Sequence, residues 1–154
     1  MQFILKLQGR AWVGANSRIQ VRLYIPNTSY DLANAITFET DASGQQNVTL
    51  SNLVPATYDV FLKPTGYLQK KTNYAVKAGD NTVDLSGITF LAGDLDADGR
   101  IWGLDYNNWL TNYGSAAAVV ADLDSSGQVN GLDFSLMLSN WGKCGDGEES
   151  ACTP

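Results

Sequence analysis

Asp94, Asp96 and Asp98 alternate along the chain, Gly99 follows at once, and Asp105 stands at the twelfth place counted from Asp94. This is oxygen-donor chemistry for a hard cation. Calcium takes six to eight oxygens at about 2.3–2.6 Å. Carboxylates at positions 1, 3 and 5 of a loop converge on one point only where the chain turns sharply, and a glycine at position 6 permits that turn. Arg100, at position 7, is expected to give its backbone oxygen, and Asp105 to return from the start of a helix and close the shell. The pattern recurs 28 residues later as Asp122, Asp124, Ser126, Gly127, Gln128 (through its backbone oxygen) and Asp133. Two Ca²⁺ are therefore expected. The second loop should bind more weakly, because Ser126 stands where the first loop has a carboxylate.

The elements that must hold these loops repeat with them. Gly93 to Gly142 is an internal duplication, with Gly103-Leu104 matched by Gly131-Leu132. Behind each loop, Tyr106, Trp109, Leu110 and Tyr113, and then Phe134, Met137, Leu138 and Trp141, are spaced i, i+3, i+4, i+7. That spacing makes one face of a helix. Gly114 and Gly142 stand where a left-handed helix cap belongs. Two such helices should pack face to face about an approximate two-fold. Ile101 and Val129, at position 8 of each loop, are expected to join the loops through a short β bridge.

On Asp94, Asp96, Asp98, Gly99, Asp105, Asp122, Asp124, Gly127 and Asp133, this last third of the chain resembles a dockerin. That family carries two calcium loops, each followed by a helix, with Asp at position 12. The resemblance implies docking onto a cohesin-like domain in an extracellular, bacterial assembly. In the family, recognition often runs through loop positions 10 and 11, which puts Gly103, Leu104, Gly131 and Leu132 at the partner surface. Many dockerins have hydroxyl residues there, and this chain is more apolar. Because both copies carry the same pair, either face is suited to a partner after a half-turn.

The first ninety residues read as strands. Phe3, Leu5 and Leu7 alternate with Ile4, Lys6 and Gln8. Ile19, Val21, Leu23 and Ile25 alternate with Arg18, Gln20, Arg22 and Tyr24. Further strands are expected over 36–40, at Val48 and Leu50, at Tyr58 to Leu62, over 70–76 and over 82–85. Turns separate them at 41–44, 64–66 and 78–81. The run TDASGQQNVTLSNLVPATYDVFLKPTGY resembles the Ig-like or transthyretin-like sandwich modules of extracellular bacterial proteins. The expected fold class is thus α+β in two modules. Residues 1–91 would form an antiparallel Ig-like β-sandwich of about seven strands, and 92–143 an all-α, dockerin-like pair of calcium-loop-helix motifs. A tail over 144–154 would carry a possible Cys144–Cys152 disulfide, which is suited to an oxidising compartment. Some modules of this kind form an internal Lys–Asn bond. Lys6 and Asn81 are the candidate pair, although Lys6 falls on the polar face. Asn27-Thr-Ser29 and Asn47-Val-Thr49 are glycosylation sequons.

Composition narrows the function. The chain has no histidine, which removes His-based acid–base and nucleophile chemistry and most zinc sites. Glu39 and Asp59 are the only pair to weigh as glycosidase carboxylates, and no cleft signal accompanies them. The expectation is not an enzyme. A formal charge of −6, concentrated in the loops and reduced to −2 by two Ca²⁺, argues against a nucleic-acid partner. No apolar run is long enough for a transmembrane helix. The start, MQFILKLQGR, lacks a signal-peptide core, so the numbering is expected to begin at a mature or cloning boundary. Three functions are in view. One is a non-catalytic module docking to a cohesin-like partner at the cell surface. The second is a subunit of a self-assembling filament or surface layer, whose partners are other copies of itself. The third is a carbohydrate-binding accessory module using Trp12, Tyr24, Tyr30 and Tyr67.

Overall fold

A computed structural model describes residues 2–10, 18–26, 31–39, 45–47, 53–116, 119–148 and 152. In chain order the elements are β1 (Gln2–Leu7), β2 (Arg18–Tyr24), β3 (Asp31–Glu39), β4 (Gln45–Asn47), β5 (Thr57–Pro64), β6 (Gly66–Tyr67), β7 (Lys70–Ala75), β8 (Thr82–Phe90) and β9 (Ala92–Asp94). Two helices follow, α1 (Gly103–Asn112) and α2 (Gly131–Ser139).

Period-two alternation builds the sheets. Leu5 and Leu7 are buried while Lys6 is exposed, and Ile19, Val21 and Leu23 are buried while Gln20 and Arg22 are exposed. One sheet runs β3-β2-β5-β7 with every pair antiparallel, and a second runs β4-β1-β8. In the second, β1 is antiparallel to β4 but parallel to β8. Strand β8 is longer than the alternation suggested. Ser86 and Gly87 break the apolar pattern, yet the chain continues past a register shift to pair Lys6 with Thr89 and Leu7 with Phe90. Between Ile4 and Lys6 the partner on β8 advances from Asp84 to Thr89, so the irregularity takes up three extra residues without ending the strand. The expected strand at Val48 and Leu50, the turn over 41–44, Asn27 to Ser29, Val48 and Thr49 of the second sequon, Trp12 and Tyr30 all lie outside the described residues.

The two-module α+β expectation, with an all-α C-terminal part, is overturned. The described chain is mostly β, the sandwich is mixed rather than purely antiparallel, and the only helices among the described residues have ten and nine residues. The first calcium-type loop starts on a paired strand. Its Asp94 is the last residue of β9, which pairs with β6. One buried cluster runs from Leu5, Tyr58 and Phe90 through Ile101, Leu123, Val129 and Met137. The physical reason is length. A helix of nine or ten residues buries too little apolar surface alone and draws its stability from what it packs against. Here α2 packs on β9. Asn140, 1% exposed, donates from Nδ2 to the Ala92 carbonyl at 2.8 Å and to Gln8 Oε1 at 2.6 Å. No described helix is long and apolar enough to cross a membrane.

Candidate metal centre

Each loop is shaped by the same backbone. Gly99 and Gly127 have φ of +91° and +87°, the left-handed region that position 6 requires. Position 4 is left-handed too, at Ala97 (φ 64°) and Ser125 (φ 57°), which the residue types did not announce. In the first loop, oxygens of Asp94, Asp96 and Asp98 lie within 4.8 Å of one another, and in the second those of Asp122, Asp124 and Asp133 do so. Two oxygens bound to one calcium can be no more than about 5.2 Å apart, so both clusters have the spread of a ligand set.

Asp105 is not in the first cluster. Both its oxygens are engaged by backbone amides: Oδ1 accepts from Leu95 at 2.7 Å and Asp96 at 3.3 Å, and Oδ2 accepts from Trp102 at 2.7 Å. Asp133 repeats this with Leu123, Asp124 and Asn130 at 2.7, 3.2 and 2.8 Å. The position-12 carboxylate therefore ties its loop to the first turn of its helix, as a capping residue does. Oδ2 of each accepts only one of these bonds and keeps a second lone pair, so capping and metal ligation are compatible. Arg100 sits by Asp98, its Nε 2.9 Å from Oδ2. The carbonyl of Gln128 accepts from Ser126 Oγ at 3.2 Å and from Asn130 Nδ2 at 3.1 Å.

The first loop passes a test of fit to a divalent ion. Asp94 is 1% exposed, and the one charged group facing it is the Lys63 ammonium, 3.0 Å from Oδ2, which leaves Oδ1 without a hydrogen-bond partner among the described residues. A buried carboxylate is costly unless cationic charge offsets it, and here the one ammonium is shared with Glu148. Burial pushes the Asp94 carboxyl up to about 6, against the pull of Lys63. Burial also holds Asp105 and Asp122 above the usual carboxylate range, against the backbone amides that bond them. Bound Ca²⁺ would supply the further positive charge that three clustered carboxylates call for and tie them together.

Ile101 and Val129 do not bridge one to the other. Ile101 exchanges backbone bonds with the stretch after α2 (Ile101 N to Lys143 O at 3.1 Å, Gly142 N to Ile101 O at 2.9 Å). Val129 does so with the stretch after α1 (Val129 N to Ser115 O at 3.0 Å, Gly114 N to Val129 O at 2.9 Å). Each loop is thus laced to the far end of the other repeat's helix, which keeps the two-fold and uses both left-handed glycines, Gly114 and Gly142.

The sandwich reaches both loops, and no spacing rule disclosed this. Arg10 donates to the carbonyls of Leu123 (3.2 Å) and Asp122 (3.3 Å), and the Tyr67 hydroxyl donates to Leu123 O at 2.9 Å. Lys63 on β5 stands 3.0 Å from Asp94 Oδ2 and 2.9 Å from Glu148 Oε1. Cys144 and Cys152 are joined by a disulfide with a Cα separation of 6.1 Å. The described residues after Cys144 lie over the first loop, where Gly145 N donates to Gly99 O at 3.0 Å.

The helices meet through Tyr106, Trp109 and Phe134, with Trp109 and Phe134 centroids 4.8 Å apart. The rest of each apolar stripe stays out. Leu104 and Leu132 are 61% and 64% exposed, Leu110 and Leu138 51% and 53%, and Tyr113 and Trp141 58% and 41%. All three pairs obey the 28-residue displacement. Gly103 and Gly131 are exposed beside them.

Other candidates disperse. Lys6 pairs with Thr89 and is exposed, while Asn81 closes its own turn with Lys77 and Gly79, so the two are not brought together. Asp59 is taken by Lys71 at 2.7 Å and by Asn73. Tyr67 is fully buried and presents no face to a sugar, and Tyr24 stands edge-on to Phe61.

No family model matches the chain, and no curated protein matches it in sequence. Solved structures do. A chain in the crystal structure of a C-terminal interface mutant of a type II cohesin-X-dockerin complex from Acetivibrio cellulolyticus is similar at 18% identity, with a TM-score of 0.62. That match covers 95% of this chain and 97% of that one. A chain from the N-terminal interface mutant of the same complex is similar at 18% identity and a TM-score of 0.61, covering 96% and 99%. The likeness extends over nearly the whole architecture and shows the fold.

Proposed function

We propose that the chain is a non-catalytic, calcium-stabilised assembly module of an extracellular bacterial protein, docking onto a cohesin-like sandwich domain. The observation that carries this reading is the paired apolar surface. Leu104/Leu132, Leu110/Leu138 and Tyr113/Trp141 are large, exposed and repeated by the internal symmetry. Exposed apolar groups clustered on one feature mark an interaction site more than scattered ones do. Two further supports are the carboxylate clusters at the root of each helix and a disulfide of the kind kept in oxidising compartments. The neighbours come from assemblies named for cohesin and dockerin partners, which supports a partner of that class.

In this reading Asp94, Asp96, Asp98, Asp105 and the Arg100 carbonyl hold one Ca²⁺. Asp122, Asp124, Ser126, Asp133 and the Gln128 carbonyl hold the other. The ligands converge only in the fold, so ion binding adds to folding free energy and fixes the helices that present the surface. The test is calorimetric titration of a type II cohesin domain into the intact chain, in millimolar Ca²⁺ and in chelator. Binding in Ca²⁺ that is lost in chelator and in the Leu104→Asp/Leu132→Asp double variant is the expected result. No binding, with calcium-dependent self-association by light scattering instead, would replace the cohesin-like partner with a second copy of the chain.

A further inference from the structure

Among the described residues, Lys63 carries a charge from the sandwich into the first carboxylate cluster. It comes from β5, and its side chain is 13% exposed against 0% for Asp94. Its ammonium group lies 3.0 Å from Asp94 Oδ2, 2.9 Å from Glu148 Oε1 and 3.1 Å from the Ala97 carbonyl at position 4. Glu148 is placed by the disulfide-closed segment, and its Oε2 is buried with no hydrogen-bond partner. The second loop has no such arrangement. There Arg10 bonds to backbone carbonyls, and the Asp122 oxygens accept from Ser126 N and Gly127 N at 3.0 Å.

We propose that Lys63 is a built-in competitor cation of the first loop, which an incoming divalent ion must displace from Asp94, and that Glu148 is the carboxylate that retains it. This rests on the calcium reading of the loops and adds a regulation of one of them. A lysine ammonium is a compact point charge on a flexible stem, and it exchanges one carboxylate for another without leaving its pocket. Here two carboxylates and a carbonyl already share it. When a divalent ion takes Asp94, Lys63 keeps Glu148 and Ala97 O. The buried, unbonded Oε2 of Glu148 gives the departing ammonium a place to turn.

The alternative, that Lys63 merely braces the loop, predicts the opposite sign. Removing a brace weakens the site, whereas removing a competitor tightens it. The experiment is a Ca²⁺ titration of the intact chain against a chelator of known affinity, followed by the amide resonances of Gly99 for the first loop and Gly127 for the second. Lys63→Met should tighten the Gly99 transition at least about tenfold, since a like-charge contact at about 4 Å costs between about 1 kcal/mol in water and about 4 kcal/mol near a protein surface. The Gly127 transition should stay in place, and Lys63→Arg should remain near wild type. Glu148→Gln, which leaves Lys63 to Asp94 alone, should weaken the Gly99 transition several-fold, and it keeps the test open if Lys63→Met does not fold. An unchanged or weakened Gly99 transition in Lys63→Met, or an unchanged one in Glu148→Gln, overturns the proposal and leaves the calcium reading standing. Silence of both glycines in every chain overturns the calcium reading and this inference with it.

Discussion

Asp105→Ala separates the two tasks of the position-12 carboxylate. In the folded chain its oxygens accept from the amides of Leu95, Asp96 and Trp102 at 2.7, 3.3 and 2.7 Å. Leu95 and Asp105 are both buried. Alanine leaves the Leu95 amide without its acceptor, at a cost of about 1–3 kcal/mol for a buried donor. Losing the cap on α1 adds about 0.5–2 kcal/mol. The Trp102 amide finds water, since that residue is exposed. Removing a carboxylate that burial already disfavours returns part of the loss. The net expectation is about 2 kcal/mol of destabilisation in the absence of any metal. Urea unfolding followed by far-ultraviolet circular dichroism, in chelator, reads this directly. With a slope of about 1–3 kcal/mol per molar, the midpoint should fall by roughly 1 M. In Ca²⁺ the loss should be larger, because a ligand has gone as well. An unchanged midpoint in chelator, with only the calcium-dependent part of the stability abolished, would show that Asp105 serves the ion alone.

Three further outcomes are expected. Gly99→Ala should lower the melting temperature far more than Gly127→Ala. Both have left-handed φ, but a Cβ at 99 would stand 2.7 Å from Glu148 Cδ, and one at 127 would meet nothing within 4 Å; equal losses would refute the clasp over the first loop. Ala97→Gly should raise metal-free stability by roughly 0.5 kcal/mol, because relief of left-handed strain exceeds the added freedom of the unfolded chain; a loss in urea unfolding would refute it. Finally, burial pushes the Asp94 carboxyl up to about 6 from an ordinary 3.8, and Asp105 and Asp122 shift the same way. A raised folded pKa gives stability that is full below 3.8 and lost as pH rises through 6. The chain in chelator should therefore gain stability from these groups on acidification from pH 7 to 5, while in Ca²⁺ it should lose it. Parallel pH curves in the two buffers would refute this.

The sequence carries the loops and most strands because both are local patterns. The turn at Gly99, the buried Ile19, Val21 and Leu23, and the left-handed Gly114 and Gly142 follow from residue type and spacing. What it hides is long-range. The parallel pairing of β1 with β8, eighty residues apart, leaves no periodic trace, and β6 is only two residues long beside a turn. The all-α reading of the last third failed for the same reason. Composition shifts at about residue 92, but Gln8, Ala92 and Asn140 are bonded to one another across that shift. Lys63 and Arg10 were invisible as loop partners, since a charged residue on a strand looks like a solvated one until the far end of the chain is folded over it.

Charge counting ranks the first loop as the stronger cation site, because Asp98 stands where the second loop has Ser126. The structure sets a different quantity against that count. In the second loop the Asp122 carboxylate is already held by two backbone amides, and the Asp122 and Leu123 carbonyls are held from outside by Arg10 and Tyr67. Less ordering therefore remains to be done when an ion arrives, and preorganisation of this kind strengthens binding without adding a ligand. The first loop has the extra carboxylate, but its Asp94 faces a lysine that must be displaced. Ligand number favours one loop and prior order favours the other. If both loops take Ca²⁺ as proposed, the relative affinities of Gly99's and Gly127's loops measure how the sandwich biases them, a property of the joined fold that neither repeat carries alone.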